Sequence, residues 1–519
     1  MSHFRGSADN AIKRSIQTIS VMMVLVLTAK ISGFVRQILI LRYMGTSPEG
    51  QAFAFASQIP VNFMDIAFAA AVSAGFIPVF NAFLEKKPKD EAFALANTFI
   101  TFVTFLALAA TAIIFLAAHP IAAAFLAAEG GPETTAMAAN LLRILTFTIV
   151  TTTAAFALIG VLQSLGGFYT PSIMSIIPNA FVLAYLFLFF DQLGVFGLAA
   201  AFIIGNILQL IIFILPLRKR GFTYRPSFNF RNAGLVQILR LAPMALVAAW
   251  LFPISSLINN WVISNHDPVA LVELTAANNI YIVVAGFFVL SVTNVLFPKL
   301  SKEAAKDKSQ FSTILSGSIS GVAFILIPLA VGLFVLRQPI MGLIQGGELT
   351  PQNAQNAARA LGYLAAGMLG FGLVTVLSRA FFALMDGKIP MITSFAAIII
   401  NFVIATLLVS HMGIAAPALA SSISLTIAGL AMFVIISRKF PIFSKAMATN
   451  LCKMAISAAI MFVALGFTIH TLSFLPDIAL IGIIAPLGII IYANTSLLLH
   501  IDEAKLAKML ISAKLRKDA

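Results

Sequence analysis

The sequence predicts an all-α polytopic membrane protein with fourteen transmembrane helices, in which two six-helix lobes are related by an internal repeat and two helices follow at the C-terminus. Composition is the first of three observations behind this prediction, since 60% of the 519 residues are hydrophobic and only 10% are charged. In soluble proteins about a quarter of the residues are charged. The other two observations are the placement of basic residues between apolar stretches and a set of motifs that occurs twice.

A helix needs about 20 apolar residues to cross a bilayer, and fourteen stretches of sufficient length follow one another along the chain. They cover residues 15–42, 49–84, 91–118, 134–165, 171–190, 194–217, 235–264, 268–299, 310–337, 352–384, 390–411, 413–437, 448–471 and 478–500. The chain therefore divides into an N-terminal tail (1–14), an N-lobe of helices 1–6 (15–220), a linker (221–234), a C-lobe of helices 7–12 (235–440), helices 13 and 14 (441–500) and a C-terminal tail (501–519).

Basic residues predict the orientation, because Lys and Arg in short loops mark the cytoplasmic side of a membrane protein. They concentrate in the connections that follow even-numbered helices, namely at Lys86, Lys87, Lys89, Arg218, Lys219, Arg220, Arg225, Arg231, Lys299, Lys302, Lys306, Lys308, Lys388, Arg438, Lys439 and Lys445. The opposite connections carry acids and histidines such as His266, Asp267 and Glu348. Both termini are therefore predicted to be cytoplasmic. The net charge of +14 then indicates the anionic inner leaflet as a partner, and not nucleic acid.

The C-terminal tail alternates Lys with apolar residues at helical spacing over residues 502–517. This pattern is typical of an amphipathic helix on the inner leaflet, and a solvated tail is the alternative interpretation.

An internal repeat is indicated by several markers that agree at an offset of 219 or 220 residues. The matched pairs are Pro78 with Pro298, Pro171 with Pro390, Gly194 with Gly413, and Arg218 and Lys219 with Arg438 and Lys439. Because each copy holds an even number of helices, the two copies run in the same direction through the membrane. Transporters built from such parallel repeats bind their substrates between the two halves.

Two cations lie inside the first apolar stretch, at Lys30 and Arg36. A cation at the bilayer centre costs several kcal/mol unless it faces water or a partner, so both are predicted to line a cavity. The alternative is that their side chains extend to the headgroup layer, which suits Arg42 and Arg36 better than Lys30. Asp65 lies deep in the second stretch, and we expect it either to pair with Lys30 or to carry a proton or sodium ion.

Polar groups beyond these charges are also candidates for the cavity. Gln51, Asn278 and Asn279 are predicted to hydrogen-bond a ligand, with helix packing as the alternative role. Arg379 and Asp386 are seven residues apart on one predicted helical face near the cytoplasmic end, which favours a gate or a structural pair. No phosphate-binding loop, paired histidines or hydrolase constellation is present, and the only cysteine is Cys452. The sequence therefore predicts no enzyme, no cofactor and no metal site of the histidine or cysteine type.

Six motifs together resemble the MurJ (MviN) family of lipid II flippases, within the multidrug, oligosaccharidyl-lipid and polysaccharide exporter superfamily. They are SGFVRQ (32–37), SAGFIPVF (73–80), LLRIL (141–145), GVLQSLGGFYTPSI (160–173), FPKLSKE (297–303) and LSRAFFALMDGKIP (377–390). The resemblance implies a V-shaped, cation-lined central cavity that opens alternately to the cytoplasm and to the outside. It also implies a groove for the lipid tail near helices 13 and 14, and a place in the bacterial cytoplasmic membrane.

Residue by residue, the resemblance is incomplete inside the cavity. Arg36 matches the arginine of the family's GFxR motif, and Lys30 falls where an arginine is usual. An arginine pair in the second helix falls on Met64 and Asp65, however, and an arginine in the eighth helix falls on Asn279. Two further departures follow from the same comparison. The acid that begins the second helix becomes Gln51, and the sodium-binding aspartates of some members are absent from helices 7 and 11, leaving neutral residues such as Asn401.

The expected function is therefore a flippase that moves lipid II, an undecaprenyl-pyrophosphate-linked disaccharide-peptide, to the outer leaflet for cell-wall synthesis. Its driving force would be the membrane potential, H+ or Na+. Another exporter of the superfamily, for a polysaccharide-lipid or a drug, is one alternative. A non-transporting membrane scaffold for envelope synthesis is the other. Expected partners are lipid II, membrane lipids and cell-wall synthesis enzymes.

Overall fold

The computed structural model is almost entirely helical. It describes residues 25, 28–29, 31–60, 72–126, 131–167, 174–240, 251–304, 308–344, 350–384, 386–505 and 508–509. Within this part of the chain, two compact units are separated between Pro253 and Ile254. The prediction of an all-α membrane protein is thus confirmed at the level of fold class.

The first unit contains ten described helices and two short π-helical segments, at residues 58–60 and Val72–Phe76. The helices are α1 (31–44), α2 (Pro48–Ser57), α3 (Ile77–Lys86), α4 (Lys89–Leu116), α5 (Ala118–Leu126), α6 (Gly131–Leu145), α7 (Phe147–Ser164), α8 (Ile176–Leu188), α9 (Phe190–Lys219) and α10 (233–240).

Nine described helices make up the second unit, and the first of them begins three residues before the unit boundary. They are α11 (Leu251–Ser264), α12 (Pro268–Ala304), α13 (Lys308–Gly342), α14 (Pro351–Ala366), α15 (Met368–Ala383), α16 (Lys388–Met412), α17 (Ala415–Lys439), α18 (Lys445–Thr471) and α19 (Asp477–Leu498).

Nine helices in the described residues are long and apolar enough to cross a membrane, or ten if α14 and α15 form one span bent by 46°. With the bent pair counted, they correspond to ten of the fourteen predicted spans, and the other four (15–42, 49–84, 171–190 and 235–264) include residues outside the described part of the chain. The predicted span 134–165 is matched by one candidate span, Gly131–Ser164, which has a break at Thr146 between α6 and α7. Within the predicted span 171–190, the structure shows the 13 residues of α8. The short helix α5 was not expected, since its residues lie mostly in a predicted external connection.

A specific contact bends the α14–α15 pair. The Ser422 hydroxyl donates a hydrogen bond of 2.6 Å to the carbonyl oxygen of Tyr363, near the end of α14. In an unbroken helix that oxygen would accept from the amide of Gly367, which instead donates to Leu364. A side chain inserted into the helical ladder is a common cause of a kink.

Turn chemistry sets several helix starts. Ser47 accepts a hydrogen bond from the amide of Gly50, and Thr350 forms a capping box with Asn353; each is followed by a proline in the first turn. Gly194 and Gly413, paired in the predicted repeat, both have positive φ angles, of 56° and 54°. Gly194 makes a kink near the start of α9, and Gly413 lies in the turn between α16 and α17. An L-residue rarely adopts this conformation, so both positions favour glycine for the same reason.

Each unit has its own apolar core. In the first unit Phe76 stacks between Phe80 and Phe99, with ring centroids 5.0 and 4.3 Å away. In the second unit α13 packs against α18 and α19 through residues such as Leu336, Met461 and Ile484. The two added C-terminal helices are therefore part of the packing of the second unit.

The first residues of the C-terminal tail also pack on this unit. Ile501 and Ala504 are buried in a cluster with Met454 and Ala323. Most of the predicted amphipathic helix lies outside the described residues.

Candidate functional site

Arg36 is held inside the first unit by two contacts. Its Nη1 atom donates a 2.8 Å hydrogen bond to Oδ1 of Asn179 on α8, and its guanidinium carbon lies 4.9 Å from the ring centroid of Phe202 on α9. The Nε atom is buried and has no hydrogen-bond partner among the described residues. The side chain is therefore directed into the helix packing of this unit, and it does not extend freely to a headgroup layer.

Asn179 ties this arginine to the backbone of the first helix. Its Nδ2 atom donates to the carbonyl oxygen of Ala29 at 3.2 Å and to the Ser32 hydroxyl at 3.1 Å. A Cβ added to Gly33 would lie 3.2 Å from the same nitrogen, so Asn179 of α8 packs closely on α1 at this glycine. The amide thus orients Arg36 by holding both helices at a fixed separation.

The chemistry of this group suits an anionic oxygen ligand. A guanidinium has five N–H donors in a planar fork that matches phosphate, and it stays charged in proteins. One donor is committed to Asn179. Stacking on Phe202 fixes the plane of the fork.

Neither Asn179 nor Phe202 was predicted as a site residue. The sequence feature that could have drawn attention to Asn179 is a polar amide directly after Pro178, within a largely apolar stretch. A buried amide in a membrane helix needs a partner, and the sequence offered no means of choosing Arg36 across 143 positions.

The other predicted cavity residues are not brought together in the described part of the chain. Lys30 and Asp65 lie outside it. Gln51 is buried in the first turn of α2, where its Nε2 atom donates to the carbonyl oxygen of Thr46 in the preceding turn at 2.9 Å. This local bond corresponds to the packing alternative for Gln51. Asn278 and Asn279 are half-buried on α12.

The expected pairing of Arg379 with Asp386 on one helical face is wrong. The helix α15, which carries Arg379, ends at Ala383, and the amide of Asp386 donates to the carbonyl oxygen of Phe381 in the following turn. The Asp386 carboxylate instead forms an ion pair of 3.2 Å with Lys439 at the end of α17. The predicted span ran on to residue 384, so helical spacing was extended past the true end of the helix.

A second polar cluster lies in the second unit. Nδ2 of Asn259 and Nδ2 of Asn401 donate to the Ser421 hydroxyl at 2.7 and 3.2 Å. The amide oxygens of both asparagines are buried and have no partner among the described residues. Neutral oxygens of this kind are possible ligands of Na+, although the described residues contain no group of three or more His, Cys, Asp or Glu suited to a metal.

One buried acid was overlooked. Glu273 on α12 was not predicted as a site residue, although it lies in the candidate span Pro268–Gly286 and is 1% exposed.

Long apolar helices in two units, with a guanidinium and amide clusters buried among them, define a polytopic membrane protein with internal polar sites, as transporters have. Comparison with known proteins makes the class specific. The chain belongs to the lipid II flippase MurJ family, whose model matches residues 40–484. The resemblance inferred from the motifs is thereby confirmed, and the chain is a multi-pass protein of the bacterial cytoplasmic membrane.

Relatives span most of the chain. The probable lipid II flippase MurJ of Thermotoga maritima is 28% identical over 92% of this chain and 94% of its own length. The corresponding protein of Borreliella burgdorferi is 24% identical, with 81% and 83% covered.

Solved structures share the fold. One described as "Lipid II flippase MurJ, inward closed conformation" has a TM-score of 0.78 at 22% identity and covers 92% of this chain and 97% of its own. An inward-facing multidrug resistance MATE family transporter of the MOP superfamily has a TM-score of 0.66 at 16% identity, with 81% and 97% covered.

Proposed function

We propose that this protein moves lipid II from the inner to the outer leaflet of the cytoplasmic membrane by alternating access, as part of peptidoglycan synthesis. Family membership over residues 40–484 is the observation that carries the proposal. Arg36 supplies the matching chemistry, because it is a fixed cation inside a membrane helix and the substrate carries a pyrophosphate.

The membrane potential is a sufficient driving force in this proposal. Moving a negative charge outward across an inside-negative membrane is favourable by about 2.3 kcal/mol per charge per 100 mV. Coupling to H+ or Na+ is the alternative, and the amide oxygens of Asn259 and Asn401 are the candidate Na+ ligands in the second unit. Asn401 was the neutral candidate expected from the sequence.

The proposed substrate-binding residues are Lys30, Arg36 and Asp65 of the first unit and, separately, Asn278 and Asn279 of the second unit. The cations would replace water around the pyrophosphate, while the half-buried amides of α12 would hydrogen-bond the sugar or peptide. Gln51 is the weakest member of the predicted set, because its amide nitrogen is engaged by the Thr46 carbonyl. The Asp386–Lys439 ion pair replaces the predicted Arg379–Asp386 pair as the candidate gate.

We further propose that Lys30 and Asp65 form an ion pair. The turn between α1 and α2 lies at residues 45–47. Counted along the sequence from that turn, a helical rise of about 1.5 Å per residue predicts depths for Lys30 and Asp65 that differ by about 5 Å. Both residues lie outside the described part of the chain. We expect Asp65→Asn and Lys30→Met each to reduce the amount of folded protein, and the double variant to recover it, because breaking a buried pair costs more than replacing both members. Simple addition of the two losses, measured by detergent-extracted yield and melting temperature, would exclude the pair.

Two alternatives remain distinct from this proposal. Met64, Asp65 and Asn279 stand where the family has arginines, so the cavity lining carries fewer cations. This difference favours another exporter of the superfamily, for a polysaccharide-lipid or a drug. It also favours a non-transporting scaffold that binds cell-wall synthesis enzymes.

Complementation tests the lipid II proposal against both alternatives. When the host's own lipid II flippase is depleted, this chain should restore growth and the export of lipid II. Failure at normal membrane expression would reject the lipid II proposal and favour the alternatives.

The proposed topology has fourteen spans in two six-helix lobes plus two helices, with both termini in the cytoplasm. We expect cysteines at Lys87, Arg220, Lys306 and Lys445 to be protected from an impermeant thiol reagent in intact cells, and cysteines at His266 and Glu348 to react. The background is Cys452→Ala, since the native thiol is exposed. Labelling of position 220 from outside would reverse the orientation.

A further inference from the structure

Glu273 is an acid enclosed in the packing of the second unit. It lies in the second turn of α12 and is 1% exposed. An ionised carboxylate is costly to bury unless a cation or a full set of hydrogen bonds compensates for the lost water. The groups around its two carboxyl oxygens therefore determine which protonation state is more stable in the folded protein.

The two carboxyl oxygens have different surroundings. Oε1 accepts hydrogen bonds from Nδ2 of Asn353 at 2.8 Å and from Nδ2 of Asn356 at 3.2 Å, both on α14. Oε2 is buried and has no hydrogen-bond partner among the described residues. An ionised carboxylate accepts bonds at both oxygens, whereas a protonated one has a single carbonyl-type oxygen with two acceptor sites. The two amide bonds at Oε1 satisfy the acceptor oxygen of the protonated form. An Oε2 atom without a partner costs less to bury as a neutral hydroxyl than as part of a carboxylate charge.

The orientation of Asn353 follows from its second set of contacts. The backbone amide of Thr350 donates to Oδ1 of Asn353 at 3.2 Å, and the Thr350 hydroxyl bonds the same oxygen. The NH2 group of Asn353 must then face Glu273. A site lined by N–H donors does not suit a metal cation, which needs oxygen ligands.

Charges near Glu273 do not compensate for ionisation. Asp267, at the start of α12, acts on it as a like charge. The helices α13, α14 and α15 pack against α12, and their arginines do not form an ion pair with Glu273 in the described part of the chain. Arg337 on α13 donates to the carbonyl oxygen of Phe334, Arg359 on α14 is exposed, and Arg379 lies near the far end of α15. The positive end of the α14 dipole favours the anion, but it leaves Oε2 without a donor.

We propose that Glu273 is a proton-binding site that joins the start of α12 to the start of α14. With the proton on Oε2, the group is neutral and Oε1 keeps both amide bonds. On release, the proton passes from Oε2 to water, and the ionised group then requires water at an oxygen that the present packing encloses. Deprotonation therefore opens the contact between the two helices. This site is independent of the proposed lipid II site.

Infrared spectroscopy tests the proton directly. The carbonyl stretch of a protonated carboxyl group should be present at neutral pH in the purified protein in lipid nanodiscs. It should lose one component in Glu273→Gln, which mimics the neutral side chain. Glu133→Gln, at an exposed position in the first turn of α6, is the matched control and should leave that component unchanged. Identical carbonyl bands in the wild type and Glu273→Gln would overturn the proposal.

Thermal stability provides a second readout that needs no transport assay. The folded state holds a proton that the unfolded chain lacks at neutral pH, so raising the pH penalises the folded wild type. We expect its melting temperature to fall relative to Glu273→Gln as pH rises, with Glu133→Gln following the wild type. Parallel pH dependences, or failure of the neutral Glu273→Gln variant to fold, would contradict a bound proton. Because transport is not measured, these outcomes leave the lipid II proposal to be judged separately.

Discussion

Arg36→Ala is expected to abolish rescue in the complementation assay, to the level of an empty vector. Charge-assisted hydrogen bonds contribute about 1.5–3 kcal/mol each, and about 1.4 kcal/mol corresponds to a factor of ten. Loss of two such bonds to a pyrophosphate, about 3–6 kcal/mol, would thus lower transport by more than about a hundredfold. Arg36→Lys should retain part of the activity, because lysine keeps the charge and loses the planar fork. Equal loss in both variants would indicate that guanidinium geometry is required.

A structural effect must be separated from this result, because Arg36→Ala also leaves Oδ1 of Asn179 without its donor. Arg143 offers a matched control in the same unit. Its Nη1 atom donates to Asn140 at 2.9 Å and its guanidinium lies 5.9 Å from the ring of Phe115, but the bond is exposed. Arg143→Ala should retain rescue. Full rescue by Arg36→Ala would remove Arg36 from the mechanism.

Features that depend on many residues along the chain could be predicted from the sequence, whereas features that depend on single turns or on contacts between distant residues could not. Fold class could be predicted because composition and loop charges are summed over many residues, and the family could be predicted because six motifs occur in order along the chain. Helix ends depend on single turns, and the Arg379–Asp386 pairing was wrong because the helix stops at Ala383. The bend between α14 and α15 depends on Ser422 reaching Tyr363 from another helix, which spacing along the chain does not reveal.

The site shows the same division. Arg36 stood out because a cation in an apolar stretch is rare, but its partner Asn179 is 143 positions away and carries no charge. Glu273 was overlooked because it lies close to the predicted start of a span, where an acid is normally solvated. Its burial follows from Asn353 and Asn356, which α14 places against it.

Gly370→Ala is expected to cause a large loss of stability. A Cβ at this position would lie 2.7 Å from the backbone nitrogen and the Cα of Thr426 on α17. Backbone atoms cannot move aside as a flexible side chain can, so α15 and α17 would have to separate. Overpacking of this kind costs about 1–3 kcal/mol, and small residues at close helix crossings are a main source of packing energy in membrane proteins. The measurement is the melting temperature and the yield of monodisperse protein in detergent.

Gly466→Ala is the matched control, because a Cβ at Gly466 on α18 would meet nothing within 4 Å. Removing a helical glycine there should be neutral or stabilising by up to about 1 kcal/mol, since alanine is the better helix former. Gly370→Ala should therefore lower the melting temperature, whereas Gly466→Ala should raise it or leave it unchanged. Equal melting temperatures for the two variants would contradict the close approach of α15 and α17. They would also contradict the tight packing of Gly429 on Leu373 at the same crossing, where an added Cβ would lie 2.9 Å from the Leu373 Cβ atom.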